Sequence, residues 1–274
     1  MTITIADLRS RHDFEASEAL ARAAFQRNLG DDTQLLRFFG WYTSFNGFFG
    51  SSVAGLASEI GRSRHLFRDP SEPLDVLADR SVHVASFFFD AARDEFDDRS
   101  TEHRDTHRCL AQAFVGGLAR CLGINDPATV NELLADPPWL VRLQQRVVKY
   151  YGMGLADDAE GMFEAMGFHL GSEVLADQEF SMLDSALRAA RPELVSKLAA
   201  TRVRVAEQEH DAYHWLGIHS GHGGAVEADH FEWAVQGVAR GLSFGVGDPD
   251  KLREAVFRGF DRFADTHTIF FTKV

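Results

Sequence analysis

Proline placement constrains this chain more than any other feature of its sequence. Four of the seven prolines directly follow an aspartate, as Asp69-Pro70, Asp126-Pro127, Asp136-Pro137 and Asp248-Pro249. An aspartate at a helix start accepts hydrogen bonds from the unpaired backbone donors of the first turn, and proline there lacks a donor that would go unpaired, so each pair announces a helix. Between the prolines run segments with apolar residues every three or four positions, for example Leu35, Phe38, Phe39, Tyr42, Phe45 and Phe49. That is the period of one helix face. No comparable run alternates with period two, so an all-α protein is expected, with helices near 13–28, 33–61, 72–97, 105–123, 128–135, 138–152, 157–189, 192–217, 226–243 and 249–272.

No internal repeat or Pro/Ser-rich linker divides the 274 residues, a length one core can still organise. A single helical domain over 1–274 is expected. The formal charge of −13 argues against nucleic acid or an anionic membrane as partner. The most apolar stretch, 45–56, is too short to cross a bilayer, and the N-terminus lacks the apolar run of a secretory signal. Two cysteines, Cys109 and Cys121, form neither a disulfide framework nor a thiolate metal motif. A cytoplasmic protein is expected, and self-association into a homodimer is compatible with this composition.

Nucleophile elbows and phosphate-binding loops are absent, which leaves carboxylate and imidazole to carry chemistry. Three groupings lie on separate expected helices. The first joins Asp94 and Glu95 to Glu102, His103 and His107. The second, GMFEAMGFHLGSEVLADQEF, holds Glu164, His169, Glu173 and Glu179, with His169 and Glu173 one turn apart. The third, HSGHGGAVEADHFEW, holds His219, His222, Glu227 and His230. Glu227 and His230 have the i, i+3 spacing by which one helix offers a carboxylate and an imidazole to one metal. Oxygen and nitrogen donors without thiolate suit iron or manganese. Each grouping also has an ordinary reading. His210 and His214 fit the polar face of a charged helix, Glu59, Glu102, Glu164 and Glu179 read as solvated or supporting groups, and the Phe clusters read as bundle core.

Three segments in order, FFFDAARDEFDDRSTEHRDTHRCLAQAF, GFHLGSEVLADQEFSML and WLGIHSGHGGAVEADHFEWAV, with the ending GFDRFADTHTIFF, resemble the haem-oxygenase-like diiron oxidases. The resemblance covers about two-thirds of the chain and implies a single-domain bundle of haem-oxygenase type holding two Fe(II) ions. It implies Glu95 and His107 as ligands from the first segment, with His103 as the alternative, and Glu173 from the second, with His169 orienting it. From the third it implies Glu227 and His230. The remaining family ligand falls on Gly223, so this sequence departs there. His222 beside it is the first choice and His219 the second. On an ideal helix His222 would lie about 140° from Glu227, and His219 about 80° away but roughly 16 Å along the axis from His230.

The same resemblance implies a non-haem iron, O2-dependent oxidase or oxygenase, with an external electron donor compatible. A small nitrogen compound, an amine or amino acid, is the expected substrate, and N-oxygenation of an amine in a biosynthetic pathway the expected reaction. Oxidative C–C cleavage or desaturation of an amino acid is the alternative. From other classes, a metal-free hydrolase of a thiamin-type heterocycle on the same fold, or a helical binding protein, stays open. Phe88, Phe89 and Trp233 are expected as pocket walls, with His169 and Tyr42, and further Trp41 or Tyr213, near substrate.

Overall fold

The computed structural model describes residues 3–69, 71, 79–98, 105–152, 154–155, 158–220 and 226–274, without the side chains of 176–178 and 226–229. The described chain is an all-α bundle with one small two-stranded sheet. It begins with α1 (Ile5–Arg11), α2 (Phe14–Leu29), α3 (Asp32–Asn46) and α4 (Phe49–Arg62), followed by a single 3-10 turn at Arg64–Leu66. Then come α5 (Arg80–Phe96), α6 (His107–Cys121), α7 (Pro127–Leu134), α8 (Pro138–Tyr150), the 32-residue α9 (Ala159–Ala190) and α10 (Pro192–Ala199). Strands β1 (Arg202–Val205) and β2 (Gln208–Asp211) precede α11 (His214–His219), α12 (Val226–Phe244) and α13 (Pro249–Lys273).

The aspartate-proline signals act through their side chains at two places. Asp126 accepts from the Thr129 amide and Asp248 from the amides of Asp250 and Lys251. At the third, α8 starts one residue later with Pro137 as its cap, while Asp136 instead accepts from Ser44 and Gln144. At the fourth, Asp69 accepts from Ser71, and the stretch expected to open the next helix, 72–78, lies outside the described residues.

Helix α9 is the spine, with α13 packed most extensively along it and α2 and α12 alongside; α5 packs against both α4 and α12. One continuous apolar core runs through all of these. The helix expected over 33–61 divides at Gly47-Phe48, where the Gly47 amide turns back to the Ser44 carbonyl. The break matters for the site: Gly50, on the first turn of α4, lies against Glu95, and a methyl group there would stand 2.8 Å from the Glu95 Cβ.

The helix expected over 192–217 is a correction. Only its ends are helical, and its middle is an antiparallel hairpin pairing Val203 with His210. Val203 is buried between exposed Arg202 and Arg204, a period-two alternation too short to stand out in the sequence. Ala206, in the turn, takes φ 54°. His210 is therefore not on a helix face but buried in β2, with Nδ1 3.5 Å from Asp105. His214 opens α11 and reaches within 4.0 Å of Asp98. No helix among the described residues is long and apolar enough to cross a membrane.

Candidate metal centre

Five helices bring the candidate ligands together. Asp94 and Glu95 end α5. The Asp98 amide donates to the Asp105 carbonyl at 2.8 Å, so the chain leaves α5 and returns to α6 at nearly one point. Thr106 caps α6 by accepting from the Cys109 amide, which makes His107 its first residue and directs it at Glu95. Glu173 comes from α9, His230 from α12, and His219 from the last position of α11.

Glu95, His107 and His219 each offer a ligand atom within 4.8 Å of the other two. His107 Nδ1 stands 3.2 Å from Glu95 Oε1 and 3.3 Å from His219 Nε2, and its Nε2 lies 3.2 Å from Asp98. That Nε2 is buried, and Asp98 is the nearer of the two carboxylates beside it, Asp94 lying at 3.8 Å. His219 Nδ1 is 2.6 Å from the Trp215 carbonyl. A carbonyl only accepts, so the proton sits on Nδ1 and the Nε2 lone pair faces the cluster.

A second group adjoins the first. His230 Nε2 is 3.0 Å from Asp94 Oδ2, and its Nδ1 3.6 Å from Glu173 Oε2. The rings of His107 and His230 are 6.5 Å apart. Behind Glu173, the buried His169 approaches its Oε1 at 3.4 Å, and Tyr151 contacts both His169 and Ser172 at 3.1 Å. His169 thus stands where it can orient Glu173.

Electrostatics inside this cluster are strongly coupled. Burial opposes charge on His107, yet Glu95 and Asp98 hold its imidazole protonated up to about 10. Burial likewise opposes charge on Glu95, but the His107 imidazolium, then His230 and His219, bring it down to about 2. His219 goes the other way. Burial, then the charge on His107, push it down to about 3, so its ring is neutral at physiological pH. Burial lowers His169 and raises the Tyr151 phenol. Four acidic side chains, Asp94, Glu95, Asp98 and Glu173, thus stand within 4 Å of His107 or His230. Glu95 keeps 29% of its side chain accessible, because it faces a cavity.

That cavity, of about 300 Å³, is lined by Glu95, His107, Glu173, His219 and His230 on one side. Phe45, Phe49, Phe180, Trp215 and Phe263 form much of the rest. Phe180 stacks on His219 at 4.6 Å. The only basic residue other than histidine among the described lining residues is Arg108, which donates to the Thr43 carbonyl at 2.6 Å.

The walls differ from those expected. Phe89 is 59% exposed, because the buried face of α5 runs through Val84, Ala85, Phe88, Ala91 and Ala92 and leaves position 89 outside it. Phe88 is buried, but behind His169 at 5.4 Å rather than on the cavity. Trp233 sits 5.4 Å from the His230 ring without lining the cavity. Tyr42 is packed inside the Phe core and donates to Glu179, and Trp41 and Tyr213 also lie off the cavity. Glu179, expected as a solvated or supporting group, is 6% exposed and lines the cavity. His103 and His222 lie outside the described residues, as does the side chain of Glu227.

Asp98 and Tyr151 carried no signal in the sequence reading. Each becomes part of the site only through contacts between segments distant in the chain. Comparison with family models, curated proteins and solved structures finds no match to this chain in any of the three.

Proposed function

We propose that the protein is a non-haem iron, O2-dependent oxidase or oxygenase of the haem-oxygenase-like diiron type, acting on a small nitrogen-containing molecule. N-oxygenation of an amine in a biosynthetic pathway is the leading chemistry, with oxidative cleavage or desaturation of an amino acid as the alternative. One observation carries the reading: Glu95, His107 and His219 converge within 4.8 Å on the wall of a cavity that is lined in part by Phe and Trp rings.

The donor set fits iron on three counts. Its atoms are carboxylate oxygen and imidazole nitrogen without thiolate, which suits iron or manganese. His219 already has its tautomer fixed by a backbone carbonyl, as metal-binding histidines do. Carboxylates of Asp94, Glu95, Asp98 and Glu173 crowd the imidazoles of His107 and His230, an oxygen-rich set that attracts a dication. Glu95, His107 and His219 would hold one ion. Glu173 and His230, with Asp94 beside them, would hold the second.

Bound and reduced, iron would supply the electrons that activate O2. The chain's own residues would do the rest. His169 and Tyr151 keep Glu173 in place, Asp94 orients His230, and the rings of Phe45, Phe49, Phe180 and Phe263 exclude water from the reacting centre. His219 replaces His222 as the favoured ligand in this reading, because it stands at the cluster with its Nε2 directed inward. The experiment is O2 uptake by Fe(II)-loaded protein against a panel of primary amines and amino acids. Amine-dependent O2 consumption that disappears in Glu95→Gln and His219→Ala is expected. No uptake with any nitrogen compound by iron-loaded protein would overturn the substrate class.

A further inference from the structure

The cavity has a second polar feature away from the Glu95–His107–His219 cluster. Glu179 lies on α9 six residues beyond Glu173, roughly 9 Å further along the helix, and lines the same cavity. It is held from behind by two side chains that are themselves almost fully buried. His267 Nε2, on α13, is 2.5 Å from Glu179 Oε1, and the Tyr42 hydroxyl, on α3, donates to Oε2 at 2.9 Å. His267 is 1% exposed and Tyr42 0%.

His267 Nδ1 is buried and has no hydrogen-bond partner among the described residues, and the ring lies against Phe263 and Phe271. Its Nε2 is the ring atom turned to Glu179, while the Tyr42 hydroxyl donates to the other carboxylate oxygen. No Lys or Arg contacts Glu179 among the described residues. The surrounding cavity is walled by Phe45, Phe180, Phe263 and Trp215, whose ring faces attract positive charge.

We propose that Glu179 is the substrate-recognition residue of this cavity and reads a positively charged nitrogen, so that the ligand is a small organic ammonium ion. His267 and Tyr42 are positioning residues that aim the carboxylate. The ammonium group is held at Glu179 by charge and by the aromatic faces, and the rest of the molecule extends along α9 toward Glu95, His107 and Glu173. This rests on the reading of the cavity as the substrate pocket, but it requires no bound metal.

The test is calorimetric titration of the full-length protein, before any metal is added, with phenethylammonium, the neutral 2-phenylethanol and the anionic 3-phenylpropionate. Titrations at 0.15 M and 0.5 M salt separate burial from surface attraction to an acidic protein, since exposed charge pairs are screened and buried ones much less so. Wild type is expected to bind the ammonium at least tenfold more tightly than the alcohol at both salts, with the carboxylate weakest. Glu179→Gln, which removes the charge while keeping the shape and one acceptor oxygen, is expected to abolish that preference without changing the affinity for the alcohol. Equal binding of ammonium and alcohol by wild type would overturn the proposal without any variant. A preference that survives in Glu179→Gln but is lost in Glu95→Gln or Glu173→Gln would also overturn it. Iron stoichiometry on the same preparations keeps the two failures apart: cation selectivity without iron uptake contradicts the oxidase, and iron uptake without selectivity contradicts this assignment.

Discussion

Replacing Gly167 by alanine tests the packing that holds the cavity together. Gly167 on α9 meets α13 so closely that an added Cβ would stand 2.6 Å from the carbonyl carbon of Val256 and 2.8 Å from its Cα. The contact is reciprocal, since a Cβ on Gly259 would stand 2.7 Å from the Phe168 amide nitrogen. Ordinary contact begins near 3.4 Å and the Val256 carbonyl oxygen would be nearer still, so the two backbones must part by more than about 1 Å, and neither has a side-chain rotamer with which to yield. Overpacking costs about 1–3 kcal/mol and occasionally more, and a clash of backbone with backbone falls at the upper end, while Gly→Ala in a helix returns about 1 kcal/mol. A net loss of about 2 kcal/mol is expected, or about 4–8 °C in Tm for a chain of this size. Gly55, within α4, supplies the opposite sign: nothing lies within 4 Å of its would-be Cβ, so Gly55→Ala should gain about 0.5–1 kcal/mol. Urea unfolding followed by circular dichroism measures both. A Gly167→Ala midpoint equal to wild type, or both variants moving the same way, would refute the close approach of α9 and α13. The site depends on this crossing, because α9 carries Glu173 and Glu179 while α13 carries His267.

Three further predictions concern charge and burial. His107 has a folded-state value of about 10 against 6.5 for an ordinary histidine, so in metal-free protein its contribution is fully present below pH 6.5 and lost as pH rises through 10. A metal must displace that proton, so calorimetry at pH 7.5 in buffers of different ionisation enthalpy should show about one proton released per chain, and none would contradict the pairing with Glu95. Phe88→Ala should cost about 3–5 kcal/mol and Phe89→Ala less than about 0.5, read from the same urea midpoints; equal effects would contradict the assigned faces of α5. Asp184, 0% exposed, accepts from Tyr213 just before α11, from Ser220 just after it at 3.0 Å and from Arg188 at 2.9 Å. Asp184→Ala removes the acceptor of the buried Tyr213 hydroxyl and the Ser220 tie across α11, at about 1–3 kcal/mol, and hydrogen exchange in α11 should accelerate more than in α13; uniform acceleration would mean that Asp184 does not anchor α11 specifically.

The helical class was legible because two local signals agreed. Asp126 and Asp248 cap their helices through the side chains the sequence singles out, and α9 and α13 run close to their expected bounds. Signals that depend on a few residues were not legible. The Gly47-Phe48 break is one amide turning back, and the hairpin at 202–211 rests on Val203 alone between two arginines. The site followed the same division. Glu95, His107, Glu173 and His230 could be singled out from spacing and resemblance, and the structure brings them to one cluster. Placing His219 at the cluster needed the position of α11, which follows from the hairpin before it and the Asp184 contacts. For Glu179 the sequence leaves a solvated and a supporting role open, because its burial depends on the distant Tyr42 and His267. The phenylalanines were likewise indistinguishable by composition: Phe180 and Phe263 wall the cavity while Phe89 faces outward.

Anaerobic titration of the metal-free protein with Fe(II), read as bound iron per chain, tests the central claim most directly. The account predicts saturable uptake of two irons, falling to one or none in His219→Ala and in His107→Ala, while both variants keep the wild-type circular dichroism spectrum. No saturable uptake by wild type, or uptake that the His107 and His219 variants leave unchanged, would contradict it.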